Sequence, residues 1–351
     1  MRAPHRRREV GPIAVEGLPL RAGDRGEAIR DLQRRLAAVG IPGAIADAGT
    51  YGPDTSEAVR RFQEERGLHV DGICGRETWS SLVEAGYRLG DRLLYHRSPM
   101  LRGDDVTELQ RRLGALGFDA GRVDGIFGPQ GASALEEFQR NVGLTADGVC
   151  GPATIAAIGR LGGRTADVTG VAGVREREAL RCAPRSLAGH RIAIGESGGL
   201  AALVAALARH LQEAGAVTAV LHHPDGSHQA AEANDFGAQV YLGVRLATAP
   251  ACVACYFAAP GFESSGGRRL AQLSVEALTE PPPGPPGPLS AEGAVRGMRR
   301  PVLRETRMPA VVCELGPPES IVSEGAEVAA ALAAALARWV ASPLDPDDRD
   351  R

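Results

Sequence analysis

The first half of the chain carries apolar residues at helical spacing in two separate places. They lie three or four residues apart, which puts them on one helix face and predicts a buried stripe in each place. A glycine follows each stripe, Gly40 in the first and Gly117 in the second, and is expected to end the helix. The stripe residues are Ile29, Leu32, Leu36 and Val39, and then Val106, Leu109, Leu113 and Leu116.

The sequence around these stripes is an internal repeat. DLQRRLAAVG returns as ELQRRLGALG, and VDGICGRETW returns as ADGVCGPATI. Pro53 and Pro129 are predicted to begin a second helix, because proline in a first turn gives up no needed hydrogen bond. The Asp-Gly pairs predict tight turns into a third helix. We therefore expect two small all-α repeats of three helices each, over residues 18–88 and 93–162.

The second half alternates strand-like and helical patterns. RIAIG, VTAVL, QVYLGVR, CVACYFA and PAVVCEL are typical of strands, and longer amphipathic segments such as LAALVAALARHLQEAG separate several of them. This alternation predicts an α/β domain with a central sheet flanked by helices, over residues 189–342. Residues 163–188 show no clear periodicity and are predicted to be a linker. TEPPPGPPGPLS is expected to be a surface loop, and residues 343–351 an acidic tail.

Composition narrows the functional classes. The 351 residues, 44% of them hydrophobic, suffice for several domains with their own cores. Forty basic and 43 acidic residues leave a net charge of −3, which argues against a nucleic-acid partner. No apolar run has the length of a signal peptide or a membrane span, so we expect a cytoplasmic protein. Six cysteines are too few for a disulfide scaffold.

Cys252 and Cys255 form a CxxC pair inside a predicted strand. Residues three apart in a strand point to opposite faces of the sheet. No second pair lies nearby in the sequence to complete a set of four metal ligands. We therefore expect neither a metal nor a redox role for this pair.

Each repeat resembles the peptidoglycan-binding domain type 1 family. The shared pattern is LQRRL, then a helix ending in FQ, then DGxxGxxT or its equivalent. Repeat 2 departs from it at Gly131 and Ala132, which stand where repeat 1 has Thr55. The resemblance implies a non-catalytic module that holds glycan or stem peptide. The competing interpretation is that these residues only build the three-helix core.

If the repeats bind, we expect the contact surface to be the exposed turns between their helices. In repeat 1 those turns are predicted to carry Tyr51 and Asp71, and in repeat 2 Phe127 and Asp147. The partner that the resemblance implies is peptidoglycan or one of its precursors.

The second half resembles the zinc-dependent N-acetylmuramoyl-L-alanine amidases of the type 3 family. The resemblance rests on the strand-helix-strand opening, on AEANDFGAQVYLGVRLA, on YFAAPGFESSGGRRLAQ and on VLRETRMPAVVCELG. It implies a zinc ion held by two histidines and a glutamate, with a further glutamate as proton shuttle. Two binding repeats ahead of such a domain also resemble an actinobacterial arrangement.

The ligand positions that the resemblance implies are not occupied by zinc ligands in this chain. Ser197 in GESGG stands at the position of the first histidine, and the stretch that would carry the glutamate ligand is deleted. Arg245 stands at the position of the second histidine, and a guanidinium has no lone pair to offer a metal. Only the shuttle position is kept, as Glu314. We therefore expect no bound metal and no cofactor.

Other residues near this site are also candidates for a role. His222, His223 and His228 are predicted to be surface-loop residues away from the strand ends. Glu196 is a candidate to pair with Arg245, and Glu314 is a candidate to face Arg245 or Arg304, because each pair has complementary charge.

Two functions are consistent with this pattern. One is a peptidoglycan-binding regulator of cell-wall precursor synthesis that contacts an enzyme or transporter of that process and does not hydrolyse its ligand. The other is an active, zinc-containing N-acetylmuramoyl-L-alanine amidase. The zinc content of the purified protein distinguishes them. A third interpretation makes the protein a structural scaffold whose repeats no longer bind glycan, and a pull-down on insoluble peptidoglycan separates it from the first.

Overall fold

The computed structural model describes residues 17–43, 48–161, 171–279, 288–289 and 292–345. The chain divides into two compact units, residues 1–86 and 87–351. Most of the predicted proline-rich loop, the start of the predicted linker and the tail from residue 346 lie outside the described residues. No helix among those described is long and apolar enough to cross a bilayer.

The first unit contains repeat 1, whose three helices share one core. They are α1 (Glu27–Ala38), α2 (Pro53–Glu65) and α3 (Arg76–Ala85). Pro53 is the first residue of α2, as predicted, and Gly40 follows α1 with a φ of 89°, a conformation that favours glycine. Ile29, Leu32 and Leu36 of the predicted stripe are at most 1% exposed, so this face of α1 is the buried one.

Repeat 2 has the same three helices and belongs to the second unit. They are α4 (Asp104–Ala115), α5 (Pro129–Asn141) and α6 (Pro152–Leu161). Phe138 of α5 is fully buried, with Leu109 and Leu113 of α4 in the same cluster. The prediction of two all-α repeats is therefore confirmed.

The rest of the second unit is an α/β domain. Its strands are β1 (Arg191–Glu196), β2 (Val217–His222), β3 (Val240–Leu246), β4 (Ala251–Ala259), β5 (Phe262–Glu263), β6 (Gly293–Met298) and β7 (Ala310–Gly316). Its helices are α7 (Val171–Cys182), α8 (Ala201–Glu213), α9 (Gly226–Asp235), α10 (Ser265–Thr279), α11 (Pro301–Glu305), α12 (Pro318–Ser323) and α13 (Gly325–Ala341). The predicted fold class is confirmed.

The sheet is mixed. Its centre is parallel, in the order β2-β1-β3-β7, and β4 runs antiparallel beside β7. Strand β6 pairs with the other side of β4 in parallel, and β5 makes a short antiparallel pair at the end of β4. The sequence did not reveal β6, because it contains two glycines and only Met298 of its six residues is buried.

Helices cover both faces of the sheet. The larger core lies between the sheet and α8, α10 and α13, and the second core lies under α9 and α11. Cys252 belongs to the first core and Cys255 to the second, so the two thiols point to opposite faces as predicted.

Helix α7 occupies the middle of the segment predicted to be a linker, 12 residues of it. Its residues Ala172 and Leu180 are buried, and Leu180 belongs to the core beneath α10. The helix was not recognised in the sequence because five of its 12 residues are arginine or glutamate and its apolar face is narrow. Arg175 also forms an ion pair of 2.9 Å with Asp119 of repeat 2.

Repeat 2 is bound to the α/β domain through α11. Arg304 donates to the backbone carbonyls of Asp124 and Gly125, and Arg122 donates to the carbonyl of Thr306. Arg102 pairs with Glu305 at 2.5 Å. Side chains of the α/β domain therefore bind repeat 2, and side chains of repeat 2 bind the α/β domain, which makes the two a single compact unit.

Candidate functional site

The predicted ligand positions lie on adjacent parallel strands. The carboxyl ends of β1, β3 and β7 meet at one edge of the sheet, where Arg245 is in register with Glu314. Glu196 is in register with Val244, so Ser197, which follows it, comes beside Arg245. The strand topology therefore brings Ser197, Arg245 and Glu314 to one row, with Ser197 and Arg245 exposed.

Glu314 is held by an arginine that sequence reasoning did not single out. Arg300 donates to its carboxylate at 2.5 Å and is only 3% exposed. The prediction of an arginine partner for Glu314 named the wrong arginine in Arg304. Because α11 begins directly after Arg300, Arg304 lies one turn further on and contacts repeat 2 instead.

Glu196 pairs with His222, so the prediction that it pairs with Arg245 is wrong. Adjacent residues of a strand point to opposite faces, so the register of Glu196 with Val244 turns Arg245 to the other face. The Glu196 carboxylate lies 2.8 Å from Nδ1 of His222 and accepts from the backbone amides of Gly198 and Leu200. Burial raises the pKa of Glu196, but these hydrogen bonds outweigh it and hold the pKa below its ordinary value.

The depressed pKa of Glu196 predicts a loss of stability in acid. A carboxyl whose folded pKa lies below its unfolded value, about 4.3 for glutamate, stabilises the fold above that value and loses this contribution as pH falls through the folded pKa. The variant Glu196→Gln should be less stable at pH 7 and should show a shallower acid dependence below about pH 4.3. Urea unfolding at several pH values measures both, and parallel profiles for the two proteins would contradict the assignment.

His222 is not the loop residue that the sequence indicated. It ends β2 beside the end of β1, at the same edge of the sheet as Glu314. The rings of His223 and His228 stack on one another with their centroids 4.0 Å apart. His223 precedes α9, and His228 lies in the first turn of that helix. His222 reaches this edge because β2 pairs in parallel with β1. The distance between residues along the chain does not reveal that pairing.

The residues at this edge do not fit a zinc ion. In the described part of the chain, no three histidine, cysteine, aspartate or glutamate side chains converge as a metal site. In the row itself, the carboxylate of Glu314 is bound to a guanidinium, and Arg245 is its neighbour on β3. A cation placed here would meet two fixed positive charges.

Two of the four predicted contact residues of the repeats are buried. Tyr51 is 1% exposed and Phe127 is not exposed at all, so neither aromatic ring lies on an exposed turn. The Tyr51 hydroxyl donates to the carbonyl of Gly72 at 2.7 Å, and burial raises its pKa. Both rings fill the core between helices instead. Asp71 and Asp147 are exposed.

The motif glutamines hold the turns that the two aspartates occupy. In repeat 1, Gln63 accepts from the backbone amides of Asp71 and Gly72 and donates to Oδ1 of Asp71 at 2.8 Å. In repeat 2, Gln139 donates in the same way to Asp147 at 2.8 Å. The FQ motif therefore has a structural explanation, since a buried amide satisfies backbone groups that a tight turn leaves open.

Repeat 2 lacks the threonine that stands at position 55 in repeat 1, and Asp124 takes over its role as hydrogen-bond acceptor. In repeat 1, Gln33 donates to Oγ1 of Thr55 at 2.9 Å. In repeat 2, the equivalent Gln110 donates to Asp124 at 2.9 Å, so the loss of threonine leaves the amide satisfied. Asp124 also supplies the carbonyl that receives Arg304.

Comparison with known proteins agrees with this architecture. A profile described as a putative peptidoglycan binding domain matches residues 25–82 and 102–158, the two helical repeats. Together with the α/β domain behind them, these repeats define an amidase-like protein of the cell-wall class. The chain is 35% identical over 348 residues to the N-acetylmuramoyl-L-alanine amidase CwlM of Mycobacterium tuberculosis, covering 87% of this chain and 83% of the relative. The chain belongs to the family of that protein.

Other similarities cover part of the chain. The N-acetylmuramoyl-L-alanine amidase CwlL of Bacillus licheniformis is 35% identical over 164 residues, which cover 40% of this chain and 45% of the relative. The crystal structure of the amidase Ami1 from Mycobacterium smegmatis aligns with 45% of this chain and 99% of its own, at 13% identity and a TM-score of 0.37.

Proposed function

We propose that this protein binds peptidoglycan or its precursors and does not hydrolyse them, its amidase-like domain acting as a recognition surface. The observation that supports this is the replacement of metal donors by charge pairing at the carboxyl edge of the sheet. Arg245 lies in register with Glu314, and Arg300 binds the same carboxylate. A zinc amidase needs three protein ligands and an open position that activates water, and this row supplies neither.

We further propose that the protein regulates cell-wall precursor synthesis in the cytoplasm, by contact with an enzyme or transporter of that process. A domain that keeps an amidase-like fold without the donors for its metal retains a shaped surface, and such a surface is suited to a partner. The thiols are compatible with a reducing compartment, because all six cysteines are free and five of them are buried.

The purified protein is expected to contain no stoichiometric zinc and to release no stem peptide from peptidoglycan. Losing three ligands leaves nothing to orient the metal or to lower the pKa of its water. Metal analysis after purification with added zinc, together with an amidase assay, tests this. One zinc per chain and an activity abolished by a chelator would establish the alternative, an active amidase.

Binding by the repeats is expected to depend on both copies. Two weak modules on one chain gain from a raised effective concentration, so removing one should reduce retention by roughly tenfold or more. The boundary between the two compact units gives a clean truncation, residues 87–351, that removes repeat 1 alone. Co-sedimentation with insoluble peptidoglycan measures retention. Equal pelleting of the truncated, full-length and heat-denatured proteins would refute a role in binding.

A further inference from the structure

Three arginines and one glutamate share one face of the sheet, between strands β3 and β6. Arg245 of β3 is in register with Glu314 of β7, and Arg296 of β6 is in register with Cys255 of β4. Cys255 pairs with Val312, two residues before Glu314, so Cys255, Arg296, Glu314 and Arg245 all belong to the same face of the sheet. Arg300 reaches this face through its bond to Glu314. We call Arg245, Arg296 and Arg300 the arginine cluster.

The charges of the cluster act together on one buried thiol. Burial raises the pKa of Cys255 to about 11, while Arg300, Arg296 and Arg245 each act to lower it and Glu314 acts to raise it. Electrostatic influence on a common group falls off with distance, so each of these four charges lies near the Cys255 thiol. The register of the strands independently places Arg245, Arg296 and Glu314 on the face of the sheet that carries this thiol.

The cluster has more positive charge than its carboxylate balances. Among the largest electrostatic influences on the pKa of Cys255, one comes from an acidic group, Glu314, and three come from guanidinium groups. Arg245 and Arg296 are exposed, and within the described ranges neither makes an ion pair. The balance over these four side chains is therefore two positive charges, and Arg245, one of the two exposed arginines, stands at a position implied for a metal ligand.

Arg300 provides a second and independent indication of a ligand. It is 3% exposed, and its Nε is inaccessible to solvent and has no hydrogen-bond partner among the residues that the structure describes. A buried donor without an acceptor is destabilising, and more so on a charged group, so natural proteins rarely leave one unpaired. An acceptor oxygen brought by a ligand would satisfy it.

We infer that the arginine cluster binds an oxyanion, the phosphate or carboxylate group of a cell-wall fragment, where the amidase family places its metal. Guanidinium groups match such anions with parallel N–H donors in a planar fork, and several of them together select negative charge. The inference deepens the proposed function and rests on it, because an anion site requires that no metal occupies the same edge. Two sources supply this chemistry, the diphosphate of an activated precursor and the carboxylates of a stem peptide.

Calorimetric titration of the full-length protein tests the inference and separates the two sources. Inorganic diphosphate and muramyl dipeptide are titrated separately into protein kept in a phosphate-free buffer. We expect at least one of them to bind one to one. Arg245→Gln and Arg296→Gln should each weaken that binding by about tenfold or more, the loss expected for a hydrogen bond to a charged group. If these variants lose diphosphate binding, the ligand group is a phosphate. If they lose muramyl dipeptide binding, the ligand group is a carboxylate.

Two further variants give the experiment its controls. Arg209→Gln removes the same charge from an exposed position of α8 and should leave the affinity within about twofold, since exposed charges act weakly at a distance in salt. Glu314→Gln removes the negative charge from the cluster and should tighten anion binding severalfold, because the carboxylate repels the ligand.

The possible results are distinguishable. No binding of either probe, or equal weakening by Arg209→Gln and Arg245→Gln, overturns the anion site. Zinc in the same protein sample overturns the proposed function itself. If the protein is free of metal and binds neither probe, only the anion site is refuted. If it is free of metal and the cluster variants weaken its binding, the anion site and the proposed function are both supported.

Discussion

Replacing Arg122 by alanine is expected to lower the free energy of unfolding of the second unit by about 3 kcal/mol. The guanidinium donates to the backbone carbonyls of Leu303 and Thr306 and lies 4.6 Å from the ring centroid of Phe257. Its positive charge also acts on the carboxylate of Glu176, whose Oε2 is buried and has no hydrogen-bond partner within the described ranges. Charge-assisted hydrogen bonds contribute roughly 1.5–3 kcal/mol and a cation–π contact roughly 0.5–2 kcal/mol, which together give this size.

Tryptophan fluorescence during urea unfolding isolates this effect. Trp79 lies in the first unit and Trp339 in the second, so a Trp79→Phe background leaves one reporter for the α/β domain. Arg140→Ala is the matched control, because Arg140 is an exposed arginine of repeat 2 and should cost less than about 0.5 kcal/mol. If both variants unfold at the same urea concentration, Arg122 does not hold repeat 2 to the domain.

Removing the carboxylate of Glu314 is expected to destabilise the α/β domain by about 3 kcal/mol, whether or not the domain has any activity. Arg300 is almost completely buried and its bond to Glu314 is 2.5 Å long, so Glu314→Ala leaves a buried positive charge without its partner. Breaking one half of a buried pair typically costs about 3–5 kcal/mol, while replacing both halves by apolar groups is often nearly neutral.

The double variant Glu314→Ala with Arg300→Met is the control for this prediction. It removes both charges, and it should recover most of the stability lost by Glu314→Ala alone. The measurement is urea unfolding followed by Trp339 in a phosphate-free buffer, so that no added anion replaces the carboxylate. A single variant within about 0.5 kcal/mol of the parent protein, the usual range for a surface substitution, would show that the pair is not structural.

The sequence alone predicted the helices of the repeats and most of the sheet. Local rules determine these elements. Apolar residues three and four apart predict α1 and α4, proline at a first turn begins α2 and α5, and glycine after a stripe ends α1. The same local reasoning failed for α7 and β6, which have little apolar sequence of their own and are stabilised by packing against α10 and β4.

The sequence also identified a row of positions, Ser197, Arg245 and Glu314, that the sheet brings to one edge. Each of them ends or follows a strand, and parallel strands end together, so the strand order sufficed to relate them. It did not reveal which faces the side chains take. The partners of Glu196 and Glu314 depended on strand parity and on where α11 begins: Glu196 pairs with His222 and not with Arg245, and Glu314 lies beside Arg245 but binds Arg300 and not Arg304.

Only the tertiary structure decided which arginine does what. Arg300 and Arg304 are four residues apart at the start of α11, yet one binds Glu314 and the other binds repeat 2. Likewise Tyr51 and Phe127 follow turns but are buried, because the helices close over them. The charge and polarity of a side chain indicate what kind of partner it requires. Which group becomes that partner depends on which one the packing brings within hydrogen-bond distance.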